Sequence, residues 1–289
     1  MLIDTITSRS NPFVKRFVAA REGRDRHVIF IEGVRLVEEA LRSHLVFEAI
    51  AYSPRLCDTP RGAQLLADLQ PQPCRGAMLT EAVMAHISDV ETPPGIVALG
   101  RRPVSTLPDS TAHPTPLFIL ADGIQSPGNL GALIRTAEAA GATAALVTVG
   151  TVDPFQPKAL RAAAGSAFRL PIIAGPDVGD ELRKLHGQGV RFVAADSQGD
   201  TPYEAFDWRQ PVLIWLGSEG HGLRSLTDEW QAQLAARLVI PMAGPVDSLN
   251  VAVAGAILLY EARRQRQPAA GSPPPAPQQP PAGGTTDAP

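Results

Sequence analysis

Cysteine and long apolar runs are scarce in this sequence. Among 289 residues there are only two cysteines. Cys57 and Cys74 fit neither a disulfide framework nor the spacing of metal ligands, which predicts a reducing compartment and no metal site. No apolar run reaches the roughly 18 residues that cross a bilayer, and the opening MLIDTITSRS lacks the apolar core of a signal peptide. We therefore expect a soluble, cytoplasmic protein.

Net charge is also small, and it hides a local excess. The chain carries a charge of −3 at pH 7 with 44% hydrophobic residues, which suits one or two ordinary cores and selects no class of partner. Residues 1–26 are richer in basic side chains than in acidic ones. The basic ones are Arg9, Lys15, Arg16, Arg21, Arg24 and Arg26. A basic arm of this kind can neutralise phosphates, but a short segment of mixed charge is more often simply a solvated helix.

Residues 27–102 alternate between strand and helix patterns, which predicts a small α/β domain. VIFIEG and VFEAIAYS are typical of strands, and VRLVEEALRS between them has apolar residues at helical spacing. Weaker patterns predict a helix at residues 62–69 and a strand at residues 95–99. Four prolines within residues 103–116 predict a linker, because proline removes a backbone donor and disfavours helix before it.

Residues 117–266 alternate in the way expected for a parallel sheet with crossover helices. Strands are predicted at residues 117–121, 144–149, 168–172, 191–195, 212–217 and 237–240. Helices are predicted at residues 130–140, 157–164, 178–186 and 249–266. Residues 267–289 have almost no apolar bulk and little charge, so we expect a disordered, proline-rich tail.

The first unusual segment of this second domain is residues 121–142, ADGIQSPGNLGALIRTAEAAGA. A strand runs into a Pro-Gly turn, and Asn129 is placed where it could cap the following helix. Asn129 as a cap and Arg135 as a surface charge would be the ordinary interpretation. Gly131 weakens it, because glycine near a helix start is unfavourable unless something approaches the backbone closely.

The second segment, residues 212–223, is an apolar strand that breaks into a glycine-rich turn holding one acid, Glu219. Such a turn exposes backbone amides to a ligand. Its glycines do not match the dinucleotide fingerprint, and no Walker lysine is present, so a dinucleotide or nucleoside triphosphate site is disfavoured. His221 is expected to be structural or solvent-facing rather than a metal ligand.

The third segment, residues 239–265, is VIPMAGPVDSLNVAVAGAILLYEARRQ. A short strand stops at Pro241, a Gly/Pro loop follows, and Asp247 or Ser248 is predicted to cap a long apolar helix. We expect a small ligand at this loop. Capping accounts for one of the polar residues Ser248 and Asn250 but not easily for both.

Together the three segments resemble the SpoU (TrmH-type) RNA 2'-O-ribose methyltransferases of the SPOUT superfamily. The resemblance lies in NLGALIRTA, LGSEGHGL and IPMAGPVDSLNVAVA, which occur in that order. It implies a C-terminal parallel-sheet SPOUT domain with a deep trefoil knot, an exception to the rule against threading. Residues 33–41, GVRLVEEAL, are similar to the family's L30e-like substrate-binding domain.

The resemblance also implies S-adenosylmethionine as the cofactor and gives roles to particular residues. The cofactor-binding positions are Gly217, Ile240 and Leu249, with Leu216 and Met242 as further apolar walls. The active-site positions are Arg135, Asn129, Glu219, Ser248 and Asn250. The family further implies a homodimer in which the arginine crosses from the partner.

The expected substrate is structured RNA, with ribosomal RNA favoured over transfer RNA. Site selection is assigned to the N-terminal domain, because every nucleotide carries a 2'-hydroxyl. Phosphate contacts are expected from Arg9, Lys15 and Arg16. Two other functions stay open at this point: an RNA-binding or ribosome-assembly protein without catalysis, and an enzyme that uses another adenine nucleotide.

Overall fold

Two β-sheets, each covered by helices, organise the chain. The computed structural model describes residues 3–108, 114–176, 178–217 and 227–267. Glu219, His221 and the predicted tail beyond Gln267 lie outside these ranges. Within them, no helix is both long and apolar enough to cross a membrane.

The first sheet is mixed, with strand order β1-β4-β3-β5-β2. Its strands are β1 (Ile3–Ile6), β2 (Val28–Glu32), β3 (Phe47–Tyr52), β4 (Arg75–Leu79) and β5 (Ile96–Arg101). Its helices are α1 (Pro12–Arg21), α2 (Val34–Arg42), α3 (Pro60–Leu69) and α4 (Glu81–Ile87). Alternate residues of β2 serve the two faces: Phe30 packs in the cluster that contains Phe17 of α1, and Ile31 in the cluster that contains Val37 of α2.

The predicted basic arm, residues 1–26, does not stand apart from this domain. β1 pairs with β4 in parallel, and α1 buries Phe13, Val14 and Phe17. The charge count obscured this apolar face because its members are spaced at helical intervals among the arginines. The sequence patterns also missed β4 and α4, since RGAML contains no β-branched residue and α4 has only 7 residues.

The second sheet has strand order β10-β12-β9-β11-β6-β7-β8, and its strand pairs are parallel. Its strands are β6 (Leu117–Asp122), β7 (Ala144–Val147), β8 (Ile172–Ala174), β9 (Arg191–Ala195), β10 (Thr201–Pro202), β11 (Val212–Gly217) and β12 (Leu234–Val239). Its helices are α5 (Pro127–Ala140), α6 (Pro157–Ala163), α7 (Val178–Gly187), α8 (Asp228–Gln233) and α9 (Val251–Arg266). The parallel α/β architecture predicted from the sequence is confirmed.

One predicted strand, residues 168–172, is displaced. Residues Ser166–Phe168 form a 3-10 turn, and β8 begins only at Ile172. Pro171 precedes the strand and has no backbone N–H to donate to a ladder. The other predicted elements of the domain differ from the observed ones mainly at their ends, whereas β10 and α8 were not predicted.

Helix α9 crosses one face of the second sheet from the carboxyl edge to the amino edge. Near its start, a Cβ on Gly255 would lie 2.5 Å from Leu133 Cδ1 of α5 and 3.1 Å from Leu216 Cδ1 of β11. At its end, Arg266 donates to the carbonyls of Thr115 (2.8 Å) and Gln210 (2.7 Å), which precede β6 and β11. This direction brings the segment before α9 to the edge where the parallel strands end.

Arginines of the second domain dock on acidic residues of the first. Arg161 of α6 donates to Asp89 at 2.8 Å and lies 4.0 Å from the Glu32 carboxylate. Arg169 pairs with Glu39 of α2 at 2.6 Å and with Glu138 of α5 at 2.5 Å. The helix that carries Arg135 is therefore tied, through Arg169, to the N-terminal domain.

Candidate functional site

The three unusual sequence segments meet at the carboxyl edge of the second sheet. β6 and β11 pair along their whole length, so that Asp122 and Gly217 stand opposite each other as the last residues of their strands. The next strand along the chain from β6, β7, lies on the other side of β6. The ends of β6 and β11 thus form a topological switch point, where ligands of open α/β sheets usually bind.

Helix α5 begins at this edge, but its cap is Ser126 rather than Asn129. Ser126 Oγ accepts from the amide of Asn129 at 3.3 Å, and Pro127 occupies the first helical position. Asn129 lies in the first turn and is half-buried, whereas Arg135 is exposed. The two residues are separated by about 9 Å along the helix axis and by about 120° around it, so they face in different directions.

Gly131 has a packing role in this helix. A Cβ at this position would lie 2.4 Å from the carbonyl oxygen of Ala159 and 2.6 Å from Ala162 Cβ. The close approach expected from the sequence is therefore real, and helix α6 makes it. Only glycine lets the backbones of α5 and α6 come this near, and this contact fixes the start of α5 over the sheet.

The end of β11 supplies the next part of the site. Leu216 is buried, with 1% of its surface exposed, and its side chain lies on the face of the sheet that α9 covers, next to Gly255. Gly217, the last residue of the strand, is half-buried at the edge.

Residues 240–250 form neither helix nor strand and lead from β12 to α9. The three apolar residues predicted to line a cofactor pocket here are half-buried. They are Ile240, Met242 and Leu249. Asp247 and Ser248 are exposed, and neither caps the helix. Asn250 is the cap, accepting from the amides of Ala252 (3.0 Å) and Val253 (3.4 Å), because α9 starts at Val251 and not at residue 249.

Sequence reasoning missed a buried carboxylate at this edge. Asp122 has 1% of its surface exposed and accepts from Trp215 Nε1 (3.1 Å) and Thr148 Oγ1 (3.0 Å). These bonds join the ends of β6 and β11 to the loop after β7. A single polar residue that closes an otherwise apolar strand was the available signal. A satisfied buried carboxylate of this kind holds its neighbours in place.

The basic residues chosen as RNA contacts lie on the N-terminal domain. Arg9 and Lys15 are exposed, and Arg16 pairs with Glu48 of β3. Arg16 is thus partly neutralised, while Arg9 and Lys15 project from the α1 side of the first sheet. In the described ranges, no group of three His, Cys, Asp or Glu side chains could hold a metal ion.

Comparisons with known proteins agree with this arrangement. The family model described as SpoU rRNA Methylase family matches residues 116–260, and a model of the MRM3-like substrate binding domain matches residues 11–98. An uncharacterized tRNA/rRNA methyltransferase of Synechocystis is 34% identical, over 91% of this chain and 95% of the relative. The 23S rRNA (guanosine(2553)-2'-O)-methyltransferase RlmP of Bacillus subtilis is 34% identical, over 86% of this chain and 94% of the relative.

Solved structures lead to the same family. The AdoMet-bound rRNA methyltransferase of Sinorhizobium meliloti matches with a TM-score of 0.79 and 31% identity, over 92% of this chain and 99% of that one. The SpoU methyltransferase AviRb of Streptomyces viridochromogenes, in complex with AdoMet, matches with a TM-score of 0.78 and 27% identity, over 89% of this chain and 98% of that one. This chain belongs to the SpoU rRNA methylase family.

Proposed function

We propose that this protein transfers the methyl group of S-adenosylmethionine to the 2'-hydroxyl of a ribose in ribosomal RNA. The main support is the meeting of α5, the end of β11 and residues 240–250 at one edge of the sheet. The relatives named as 23S rRNA 2'-O-methyltransferases support the substrate class. The cytoplasm, where a bacterial ribosome is assembled, is the compartment that fits.

The residues at this edge suit a cofactor that is part apolar and part polar. Leu216, Ile240, Met242 and Leu249 offer apolar surface around an irregular segment. Because residues 240–250 are not in a helix or a ladder, their amides and carbonyls are suited to bind adenine and the methionine moiety. Gly217 has no side chain to obstruct a close approach. When bound, S-adenosylmethionine supplies an electrophilic methyl group on a sulfonium.

The protein's own task is to align the ribose hydroxyl and to handle its proton. We assign this task to Arg135, with Asn129, Glu219, Ser248 and Asn250 orienting the groups. Arg135 either stabilises the developing alkoxide or a neighbouring phosphate as a cation, or accepts the proton if the site destabilises its charge. The side-chain oxygen of Asn250 also serves the cap of α9.

We propose that the active unit is a homodimer formed through α9. Val253 and Tyr260 are 48% and 50% exposed and lie seven residues apart, on one face of the helix. The half-buried Ala256 and Ile257 lie between them on the same face, and a continuous apolar stripe of this kind is typical of an interface. The different orientations of Asn129 and Arg135 on α5 also support a site in which Arg135 serves the partner.

A trefoil knot fits the path of the chain around this site. The chain leaves β11 at the centre of the sheet, forms β12 near one edge, and returns as α9 to pack on α5 and β11. Threading of residues 240–266 through an earlier part of the chain would produce the knot and would hold the cofactor segment rigidly. Limited proteolysis with and without S-adenosylmethionine measures that rigidity.

Substrate selection is assigned to the N-terminal domain, with Arg9, Lys15 and Arg16 contacting phosphates. Phosphate contacts make RNA affinity fall as salt rises, and charge-removing variants at these positions should reduce that slope. The pairing of Arg16 with Glu48 leads us to expect the smallest effect at Arg16.

Two measurements test the proposed function. Calorimetry with S-adenosylmethionine, and with ATP as the comparison, should give micromolar binding for the first ligand alone. Binding of ATP alone would favour an enzyme of another adenine nucleotide, and binding of neither would favour an RNA-binding protein. Mapping of ribose methylation in ribosomal and transfer RNA from a deletion strain should then reveal one lost ribosomal site.

A further inference from the structure

A cleft of about 840 Å³ lies between the two domains, outside the residues assigned to chemistry. One wall is the end of α1, the segment after it and the start of β2. The other is formed by residues 147–149, 151–157 and 174–175, at the ends of β7 and β8 and directly after them. Its volume lies in the range of about 300 to 1,000 Å³ that is usual for small-molecule sites. This second wall lies at the carboxyl ends of β7 and β8, on the same edge of the second sheet as the candidate site.

An arginine is held flat in this cleft. Both terminal nitrogens of Arg102 donate hydrogen bonds to the carboxylate of Asp153, at 2.8 and 2.7 Å. Its guanidinium lies over the ring of Phe155, with the Cζ atom 4.7 Å from the ring centroid. The planar guanidinium of Arg102 is therefore held along one edge by Asp153 and against one face by Phe155. Arg102 also lines the cleft, and its side chain is 27% exposed.

The charge of the lining indicates what this cleft can hold. The lining residues carry equal numbers of basic and acidic side chains: Arg21, Arg26 and Arg102, and Glu22, Asp25 and Asp153. A phosphate would need a net positive site, which this balance does not provide. An uncharged aromatic ring suits it better, because guanidinium planes are common stacking partners of unpaired RNA bases.

The cleft wall is bonded to the loop that carries the start of α5. The amide of Val152 donates to the carbonyl of Ile124 at 3.0 Å, and the amide of Gly123 donates to Thr148 Oγ1 at 3.3 Å. Gln125 Nε2 also donates to the carbonyl of Gly150. A group bound in the cleft would therefore lie beside the loop that positions Asn129.

We propose that this interdomain cleft binds an unpaired base of the substrate RNA, next to the methylated nucleotide, stacked on the guanidinium of Arg102. This inference rests on the proposed function and adds a subsite to it. The site accounts for two features with no role in methyl transfer: the rigid Asp153–Arg102–Phe155 arrangement, and the exposure of Val149 (73%) in the cleft wall.

The test uses the full-length protein with ribosomal RNA extracted from a strain that lacks its gene. Arg102→Lys keeps a positive charge opposite Asp153 but removes the planar fork, so a purely ionic link between the domains would survive it. Val149→Glu places a charge in the cleft wall without touching that ion pair. The matched control is Val104→Glu, because Val104 is 94% exposed and does not line the cleft.

Each variant is compared with wild type for cofactor binding, melting temperature, RNA affinity and single-turnover methylation at saturating RNA. We expect Arg102→Lys and Val149→Glu to weaken RNA binding about tenfold, as for the loss of one stacked base. Cofactor affinity and melting temperature should stay unchanged, as should all properties of Val104→Glu. In Arg102→Gln, which removes the charge, the salt dependence of binding should keep its slope, because no phosphate contact is lost.

Two outcomes separate this inference from the proposed function. RNA affinity within twofold of wild type in both cleft variants overturns the base subsite while leaving methyl transfer intact. A reduced salt slope in Arg102→Gln also overturns it, since that result assigns Arg102 to a phosphate. Absence of cofactor binding or methylation by the wild-type protein overturns the proposed function itself.

Discussion

At the scale of single residues, Arg135 is the strongest candidate for the chemistry. We expect Arg135→Ala, and also the charge-keeping Arg135→Lys, to lose at least about a hundredfold in single-turnover methylation, as for a positioned acid–base or electrostatic group. Cofactor affinity should stay near that of wild type, because Arg135 is exposed on α5 and is not among the cofactor positions.

The matched control for this residue is Arg183→Ala. Arg183 is an exposed arginine of α7 that pairs with Asp180, and its loss should leave turnover unchanged. Near-normal turnover in Arg135→Ala would remove Arg135 from the site. Lost cofactor binding in that variant would instead move Arg135 into the cofactor pocket.

Gly131 tests the packing beneath the site. Gly131→Ala should lower the free energy of unfolding by about 1 to 3 kcal/mol, because the added Cβ meets the backbone of Ala159 and the Cβ of Ala162. Gly187→Ala in α7 is the control: nothing lies within 4 Å of its Cβ position, so alanine should be neutral or slightly stabilising. Urea denaturation measures both, and equal midpoints would contradict the close approach of α6.

Glu32, which lies near Arg161 at the domain interface, should make the stability of the folded protein depend on pH. Burial raises the pKa of Glu32 from its usual value of 4.5, against the hydrogen bonds from Ser88 and Asp89 and the charge of Arg161. The folded protein therefore binds this proton more tightly than the unfolded chain does. The stabilisation is fully present below the unfolded pKa and is lost as pH rises through the folded value.

Glu32→Gln should remove that dependence, because the variant has no proton to exchange at this position. We expect the stability of wild type, relative to Glu32→Gln, to fall between about pH 4.5 and the raised folded pKa. Urea unfolding of both proteins from pH 4 to pH 7 measures the difference. If the stability of wild type relative to Glu32→Gln rose with pH instead, the charge of Arg161 would outweigh the effect of burial.

At the scale of elements, α9 is held at its far end by one arginine. Arg266 donates to the carbonyls of Thr115, Pro116, Trp208 and Gln210. Burial lowers its pKa to about 10, so it still carries its charge at neutral pH. Arg266→Met should lower the free energy of unfolding by about 2 to 4 kcal/mol, because several partly buried carbonyls lose a donor. Arg263→Met, at an exposed position of the same helix, should cost little.

Elements differ in how far the sequence could predict them. β6 and β11 were predictable because both of their faces are buried, which requires continuous apolar runs such as VLIWLG. The start of α9 was not, since Asp247, Ser248 and Asn250 are all good caps and only tertiary packing chooses among them. The partner of Gly131 was equally hidden, because α6 reaches it through the fold. The catalytic roles predicted for Arg135 and Ser248 come only from the family resemblance.

At the scale of the whole molecule, the proposed dimer is open to a direct test. Val253→Asp places a charge on the apolar stripe of α9 and should convert the dimer to a monomer of 30.6 kDa in light scattering at micromolar concentration. Val104→Asp is the control, because Val104 is 94% exposed and lies in the linker. A monomeric wild-type protein would contradict both the interface and the composite site.

The parallel pairing of β6 with β11 has a consequence for how the chain reaches its folded state. β6 is buried along its length, yet its β11 neighbour follows only after β7, β8, β9 and β10 have been synthesised. Closing so large a loop is slow, and until it closes β6 presents an unpaired apolar edge. Refolding should therefore take seconds or longer, and its yield should fall as protein concentration rises. The amount of protein that folds correctly in the cell should then depend on chaperones more than on the stability of the folded state.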